Sequence, residues 1–211
     1  RQMCIRDRLS ITVSTSSAID LLLLTLQRSQ MTDTTEIQQA DPFQNDPILK
    51  DMGAFLHSLN NESDRGVVLV CTSYIEDRLG ILISKFLVNG SDSKALIDDF
   101  NGPFGTFSSR ISGAHALGLI SNEEMRRLTI IRKIRNDFAH ELRASFETQK
   151  IKSRLDTFKH YIPSENGPQE LTTLEPRMRF TMAAARLVVC LCNMIQLVDQ
   201  RQLKPQVWPD F

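Results

Sequence analysis

Three long stretches of helical periodicity constrain the fold of this chain more than any other feature of its sequence. In Arg65–Val88, Ser121–His140 and Arg177–Leu203, apolar residues recur at intervals of three and four, which places them on one face of an α-helix. Ile48–Leu59 repeats this spacing over a shorter length. No stretch indicates a hairpin or a pair of alternating strands. We therefore predict an all-α fold, a compact bundle of five to seven helices with the three long helices in its core.

Polar and glycine residues at the ends of these stretches predict where the helices begin and end. Ser121 is followed three residues later by Glu124, the capping-box pattern that starts a helix. Ser63 or Asp64 can cap the first long helix, and Asn89-Gly90 ends it. Shorter helices are predicted over Ser91–Phe100, from Thr106 or Ser108 to Ala116, and over Thr148–His160, with a loop over Pro163–Pro176.

The first 30 residues differ in character from the rest of the chain. Arg1–Arg8 resembles the translation of a sequencing adapter, and the apolar run Leu21–Leu24 is far shorter than the roughly 20 residues that span a membrane. We predict a non-native leader with Met31 as the true start; a disordered natural leader is the alternative. The predicted organisation is a leader over 1–30, a flexible segment over 31–47, a single helical domain over 48–205 and a tail over 206–211.

Charge and cysteine content restrict the partner and the compartment. The chain has 25 basic and 25 acidic residues, and removing residues 1–30 leaves a formal net charge of −2. No global positive charge is present to hold nucleic acid by counterion release, so such binding requires a local patch. Cys71, Cys190 and Cys192 lie in apolar helical stretches, and three thiols cannot all pair. We predict reduced thiols in a cytoplasmic protein without a membrane segment.

The hexad Arg135–His140 closes the second long helix and carries the candidate functional residues. It places a guanidinium and an imidazole five residues apart, beside Asn136 and Asp137. Arg132, Asn136 and His140 share one helix face and could converge on one ligand. A structural role is the more common use of such residues, because cations at a helix C-terminus interact favourably with its dipole. The candidate ligand or nucleic-acid contacts are Arg132, Arg135, Asn136 and His140, of which Arg135, Asn136 and His140 are catalytic only if the chain is a nuclease.

Basic residues outnumber acidic residues around the hexad by nine to five. The basic residues are Arg126, Arg127, Arg132, Lys133, Arg135, Arg143, Lys150, Lys152 and Arg154, and the acidic residues are Glu123, Glu124, Asp137, Glu141 and Glu147. This local excess of four positive charges is the candidate nucleic-acid patch. The interspersed acids are more typical of a solvated mixed face.

The histidines and cysteines do not form a metal-binding pattern. His57, His115 and His160 lack partners at the spacing of metal ligands, and no His-Glu-x-x-His occurs. Cys190 and Cys192, two residues apart on a helix, point their thiols in different directions. We predict no metal and no cofactor.

A glycine-rich turn carries a family resemblance. Gly102-Pro103-x-Gly105-x-x-Ser108-x-Arg110, followed by Leu117-Gly118-Leu119-Ile120, resembles the bacterial mannitol operon repressor family. The similarity extends more weakly from about Val67 to His140. It implies a compact helical domain associated with repression of sugar-alcohol uptake genes, without a recognisable DNA-binding motif. No Lys-Ser/Thr pair follows the glycines, which excludes a P-loop, so we predict a turn between closely approaching helices.

The hexad carries a second and broader resemblance. Arg-Asn-x-x-Ala-His at a helix end is similar to the Arg-x4-to-6-His motif of HEPN domains, helical bundles that are often dimeric. In their RNase members, the Arg and His of two subunits meet in a cleft and cleave RNA without metal. The resemblance implies that Arg135 would stabilise charge on the phosphate, Asn136 would help to position the groups, and His140 would act as a general acid or base.

Binding, rather than catalysis, is the function that we expect from these patterns. The expected protein is a cytoplasmic regulator that resembles the mannitol operon repressors and acts through protein or DNA contacts; the alternative is a HEPN-like RNase. A surplus of apolar residues on the last helix suggests one face for the core and another for a partner, and therefore a homodimer. These residues are Leu187, Val188, Val189 and Leu191.

Overall fold

The computed structural model describes residues 61–99, 101–158, 161–162, 169–170 and 174–207, together with Phe55 and Leu59. The chain divides into two compact units, one of residues 1–60 with 159–173 and one of residues 61–158 with 174–211. The range 48–205, predicted as one domain, therefore contributes residues to both units. The predicted leader and flexible segment lie outside the described residues. The helix predicted over Ile48–Leu59 is described only at Phe55 and Leu59, and both are helical.

Six α-helices form the described part of the second unit, and the predicted all-α fold is confirmed. They are α1 (Asp64–Phe86), α2 (Ser91–Asp98), α3 (Phe107–Ala116), α4 (Asn122–His140), α5 (Gln149–Leu155) and α6 (Pro176–Val198), and a 3₁₀ turn over Asp199–Arg201 follows α6.

The described residues of the first unit include a small strand pair that the sequence did not predict. In β1 (Tyr161–Ile162) and β2 (Gln169–Glu170), Tyr161 is antiparallel to Glu170, and Ile162 to Gln169. The prediction that nothing forms a hairpin was wrong at this place. Two-residue strands are too short to show the alternation of apolar and polar residues that identifies a longer strand.

Side chains cap three of the helices at the predicted positions. The Ser63 hydroxyl accepts a hydrogen bond of 3.1 Å from Gly66 N, and α1 begins at the next residue. Thr106 caps α3 in a capping box with Ser109. Ser121 caps α4, and its own backbone N–H donates to Glu124 Oε2 at 2.7 Å. These bonds satisfy backbone donors that have no partner inside the helix.

Two predicted helix ends lie too far along the chain. The helix predicted over Thr148–His160 is only Gln149–Leu155, because the chain then turns with Phe158 N donating to Leu155 O at 3.0 Å. The last α-helix ends at Val198 rather than Leu203, and the 3₁₀ turn follows it. A tighter final turn is a common way for a helix to satisfy its last carbonyl groups.

Helices α1 and α6 provide most of the core. Every residue of α6 from Phe180 to Val189 except Arg186 is buried. The helix is long and apolar enough to cross a membrane, with a mean hydropathy of 1.7 in its best window, but 67% of that window is buried within the protein. A buried core helix of a soluble protein satisfies the same criterion.

The residues that suggested a partner-binding face on the last helix lie in this core. Leu187, Val188, Val189 and Leu191 are each at most 4% exposed. The expected second apolar face is therefore not free on α6. The homodimer remains a prediction without this support.

Candidate functional site

The glycine turn between α2 and α3 is a close contact of backbone with backbone. A Cβ at Gly102 would lie 2.7 Å from the carbonyl oxygen of Leu96 and 2.8 Å from that of Ala95. The backbone of this turn is closed by bonds of 2.8 Å from Gly102 N to Asp99 O and 2.9 Å from Phe104 N to Leu96 O. Position 102 therefore requires glycine for steric reasons, as expected of a turn between closely approaching helices.

Arg110 fastens this turn to α1. Its guanidinium donates to three main-chain carbonyls, Phe104 O at 2.9 Å, Glu76 O at 3.0 Å and Ile97 O at 3.2 Å. Gly80 leaves the space for this approach, since a Cβ there would lie 3.1 Å from Arg110 Nη1. Because its donors are directed at the backbone, Arg110 organises the fold.

The other residues of the turn fit the same structural role. Phe104 packs on Gly113, where a Cβ would overlap the ring. Pro103 and Ser108 are exposed, and Gly105 N donates to Gly102 O at 2.9 Å. The residues that carry the family resemblance thus build a joint between helices.

In the hexad, Asp137 faces inward and joins α4 to α5. Its carboxylate is 2.8 Å from Lys150 Nζ and 2.9 Å from Arg154 Nε, and only 9% of the side chain is exposed. The Arg154 N–H is not directed at the carboxylate oxygen, so this second contact is electrostatic. Hydrogen bonds from Lys150 to Asp137 and to Glu141 raise the pKa of the lysine. Asp137 is therefore an anchor within the protein.

Phe138 is the second inward residue of the hexad. It is fully buried, and its ring centroid is 5.1 Å from that of Phe146, which is 5.5 Å from Phe180 on α6. Together with Asp137, it sets how the last turn of α4 is rotated about its axis. The opposite side of that turn faces outward.

The outward side of α4 carries the predicted contact residues. Arg132 and Asn136 are half-buried and His140 is exposed. They lie on successive turns, about 6 Å apart along the helix. Arg135 Nη1 donates to Asn136 Oδ1 at 3.3 Å, which brings the guanidinium toward this row. We call Arg132, Arg135, Asn136 and His140 the α4 row.

Arg135 and His140 do not meet within one chain. Five residues of helix separate them by about 140° around the axis. No hydrogen bond joins the two side chains among the described residues, and the exposed His140 makes no ion pair there. One chain therefore brings Arg135 to Asn136 but not to His140.

The five acidic residues around the hexad are all engaged. Glu123 pairs with Arg126 and Arg127, and Glu124 completes the cap of α4. Asp137 and Glu141 both bind Lys150, and Asp137 also pairs with Arg154. Glu147 binds Lys152. Five of the nine basic residues are thereby neutralised. The four others, Arg132, Lys133, Arg135 and Arg143, form no ion pair with a described residue. The local excess of positive charge is therefore concentrated in these four side chains.

Arg65 is a member of this region that the sequence analysis missed. Its Nη2 donates to the carbonyl oxygens of Glu141 at 2.9 Å and Leu142 at 3.1 Å, where the chain leaves α4. The guanidinium thus offsets the negative end of the α4 dipole next to His140. Arg65 lies on α1, 76 residues from Glu141 in the sequence, so local periodicity gave no signal for it.

The described part of the chain shows neither a metal-binding group nor a thiol suited to nucleophilic chemistry. No group of three or more His, Cys, Asp or Glu residues there could hold a metal ion. His115 Nε2 is 2.7 Å from Asn122 Oδ1, while His57 and His160 lie outside the described residues. Cys71, Cys190 and Cys192 form no disulfide bond with a described residue. Burial raises the pKa of Cys71 to about 12 and also raises that of Cys190, so both are poor nucleophiles.

Comparison with known proteins identifies no relative of this chain. No family model, curated protein or solved structure matches the chain.

Proposed function

We propose that this protein is a cytoplasmic transcription regulator, similar to the mannitol operon repressors, that binds DNA or a protein partner through the α4 row. The observation that carries the proposal is the division of the hexad into two sides. Asp137 and Phe138 are fixed inside the protein, while His140 is exposed and the half-buried Arg135 donates a hydrogen bond to the half-buried Asn136. A rigid helix face with uncompensated cations and hydrogen-bonding groups suits recognition of an anionic partner.

The joint built by Gly102 and Arg110 supports a regulatory role indirectly. The residues that resemble the mannitol operon repressors are used to shape the helical domain, as a shared fold would require. The resemblance therefore supports a common scaffold. The function is carried by the α4 row.

Transcript profiling of cells with and without the protein tests this proposal. We expect a small set of transcripts to change, and the change to be lost in Arg135→Ala. Arg126→Ala is the matched control, because Arg126 lies on the same helix, is exposed and pairs internally with Glu123. The proposal would be refuted if no transcript responds to the protein. It would also be refuted if the transcripts respond equally to the Arg135→Ala and Arg126→Ala variants.

A HEPN-like RNase is the second candidate, supported by the bond that holds Arg135 against Asn136. Because Arg135 and His140 are on different sides of the helix end, this activity needs the residues of a second subunit. RNA incubated with the protein in EDTA would then yield cyclic phosphate ends. His140→Ala would lower the rate by about 10² or more, the usual contribution of a positioned acid or base. We expect no cleavage by the wild-type protein.

A further inference from the structure

Three further cations near the end of α4, namely Lys133, Arg143 and Arg65, form no ion pair with a described residue. Lys133 and Arg143 are exposed, and Arg65 approaches the same helix end from α1. We define the α4 basic surface as Arg65, Arg132, Lys133, Arg135 and Arg143 together with Asn136 and His140. Five permanent positive charges thus lie in a chain whose formal net charge is zero.

We propose that the α4 basic surface binds the phosphate backbone of double-stranded DNA without reading its sequence. This inference rests on the proposed function and narrows its partner to one class. Duplex phosphates recur at short intervals along a regular helix, so several cations grouped around one end of a protein helix can neutralise several phosphates together. Arginine, which supplies four of the five charges, presents a planar set of donors that suits phosphate oxygens.

The composition of this surface favours a duplex over a single strand. Proteins that bind single-stranded nucleic acid usually stack its bases on exposed aromatic rings. None of the exposed large hydrophobic residues in the described part of the chain is aromatic. The aromatic residues near α4 and α5, Phe138, Phe146 and Phe158, are at most 3% exposed and belong to the core.

The same composition disfavours a protein partner. Protein interfaces have an apolar centre, commonly built around aromatic anchors. The outward positions of α4 between Arg132 and His140 offer Lys133, Asn136 and Ala139 instead. Among the described residues just after α4, Leu142 is the large apolar side chain that is strongly exposed, at 90%. Backbone phosphate contact requires no apolar centre, because its free energy comes largely from released counterions.

Fluorescence anisotropy with a labelled random-sequence DNA duplex of about 20 base pairs tests the proposal. With roughly 0.9 counterions released per phosphate contact, five contacts predict a slope of about −4.5 for log K against log salt concentration. Lys133→Gln/Arg143→Gln removes two exposed charges, and we expect it to make the slope shallower by about 2. Affinity in low salt should fall about 10-fold or more.

A charge-matched control separates this surface from net charge. Lys94→Gln/Lys204→Gln also removes two exposed cations, one on α2 and one after the 3₁₀ turn, and neither forms an ion pair with a described residue. We expect this variant to bind like the wild-type protein. Circular dichroism should show the same helix content in all three proteins, since the four substituted side chains are on the surface.

Several results would overturn the proposal. One is that the wild-type protein does not bind the duplex in about 20 mM salt, and another is that DNA binding weakens equally in both double variants. A third is that the protein binds single-stranded RNA of the same length more tightly than the duplex. Tighter binding of a polyglutamate chain of equal charge would instead identify an acidic protein as the partner. If the wild-type protein does not bind the duplex but still changes the transcripts, the DNA inference fails while regulation through protein contacts stands.

Discussion

At the scale of single residues, Arg110 shows how a motif residue can be essential to the fold without touching a ligand. Its guanidinium joins three main-chain carbonyls from α1, from the end of α2 and from the turn that precedes α3. Arg110→Lys retains the charge, but one ammonium group cannot reach all three oxygens. We expect urea unfolding to show that this substitution lowers the free energy of unfolding by about 1–3 kcal/mol. Arg126→Lys, on the exposed surface of α4, should cost less than about 0.5 kcal/mol, and equal losses would contradict this role.

Cys71 predicts a specific dependence of stability on pH. The buried thiol has a pKa raised from 9.0 to about 12, so it stays protonated between pH 9 and 11 in the folded protein. The unfolded chain loses this proton near pH 9, which favours unfolding as the pH rises. The protonated Cys71 thiol therefore contributes its full stabilisation below pH 9. Between about pH 9 and 12 this stabilisation is lost, by up to about 1.4 kcal/mol per pH unit. Unfolding measured from pH 8 to 11 should show a shallower decline in Cys71→Ala, and parallel curves would contradict the assignment.

At the scale of elements, the anchor of α5 on α4 depends on Asp137. Asp137→Asn removes the charge that Lys150 and Arg154 share, and we expect a loss of about 1–3 kcal/mol, between the values for exposed and buried pairs. Amide hydrogen exchange in α5 should accelerate more than in α1. Glu147→Gln is the control, because its pair with Lys152 is largely exposed. Similar exchange of α5 in both variants would exclude an anchoring role.

The sequence predicted the helices better than the site, for a physical reason. Apolar periodicity and capping depend on residues three or four apart, so Ser63, Thr106 and Ser121 identified helix starts. The inward direction of Asp137 depends on Lys150 and Arg154, which come from another helix. The contribution of Arg65 depends on α1. Local spacing placed Arg132, Asn136 and His140 on one face, but it could not show which neighbouring charges were already neutralised.

At the scale of the whole molecule, the remaining prediction concerns assembly. The burial of Leu187 and its neighbours removes the argument from α6, so the expectation of a homodimer now comes from the resemblance to HEPN domains. Light scattering at micromolar concentration should give twice the chain mass of 24.0 kDa. A single species of 24.0 kDa would contradict the homodimer and, with it, any active site shared between two subunits.

Site-specific photo-crosslinking would show whether the outward side of α4 contacts a partner in the cell. A photoreactive amino acid would replace His140 in one variant and Arg126 in another; both positions are exposed on α4. We expect position 140 to crosslink to DNA or to a defined protein partner and position 126 not to crosslink. Arg135→Ala should abolish the product. Equal crosslinking from both positions, or none from position 140, would contradict this expectation.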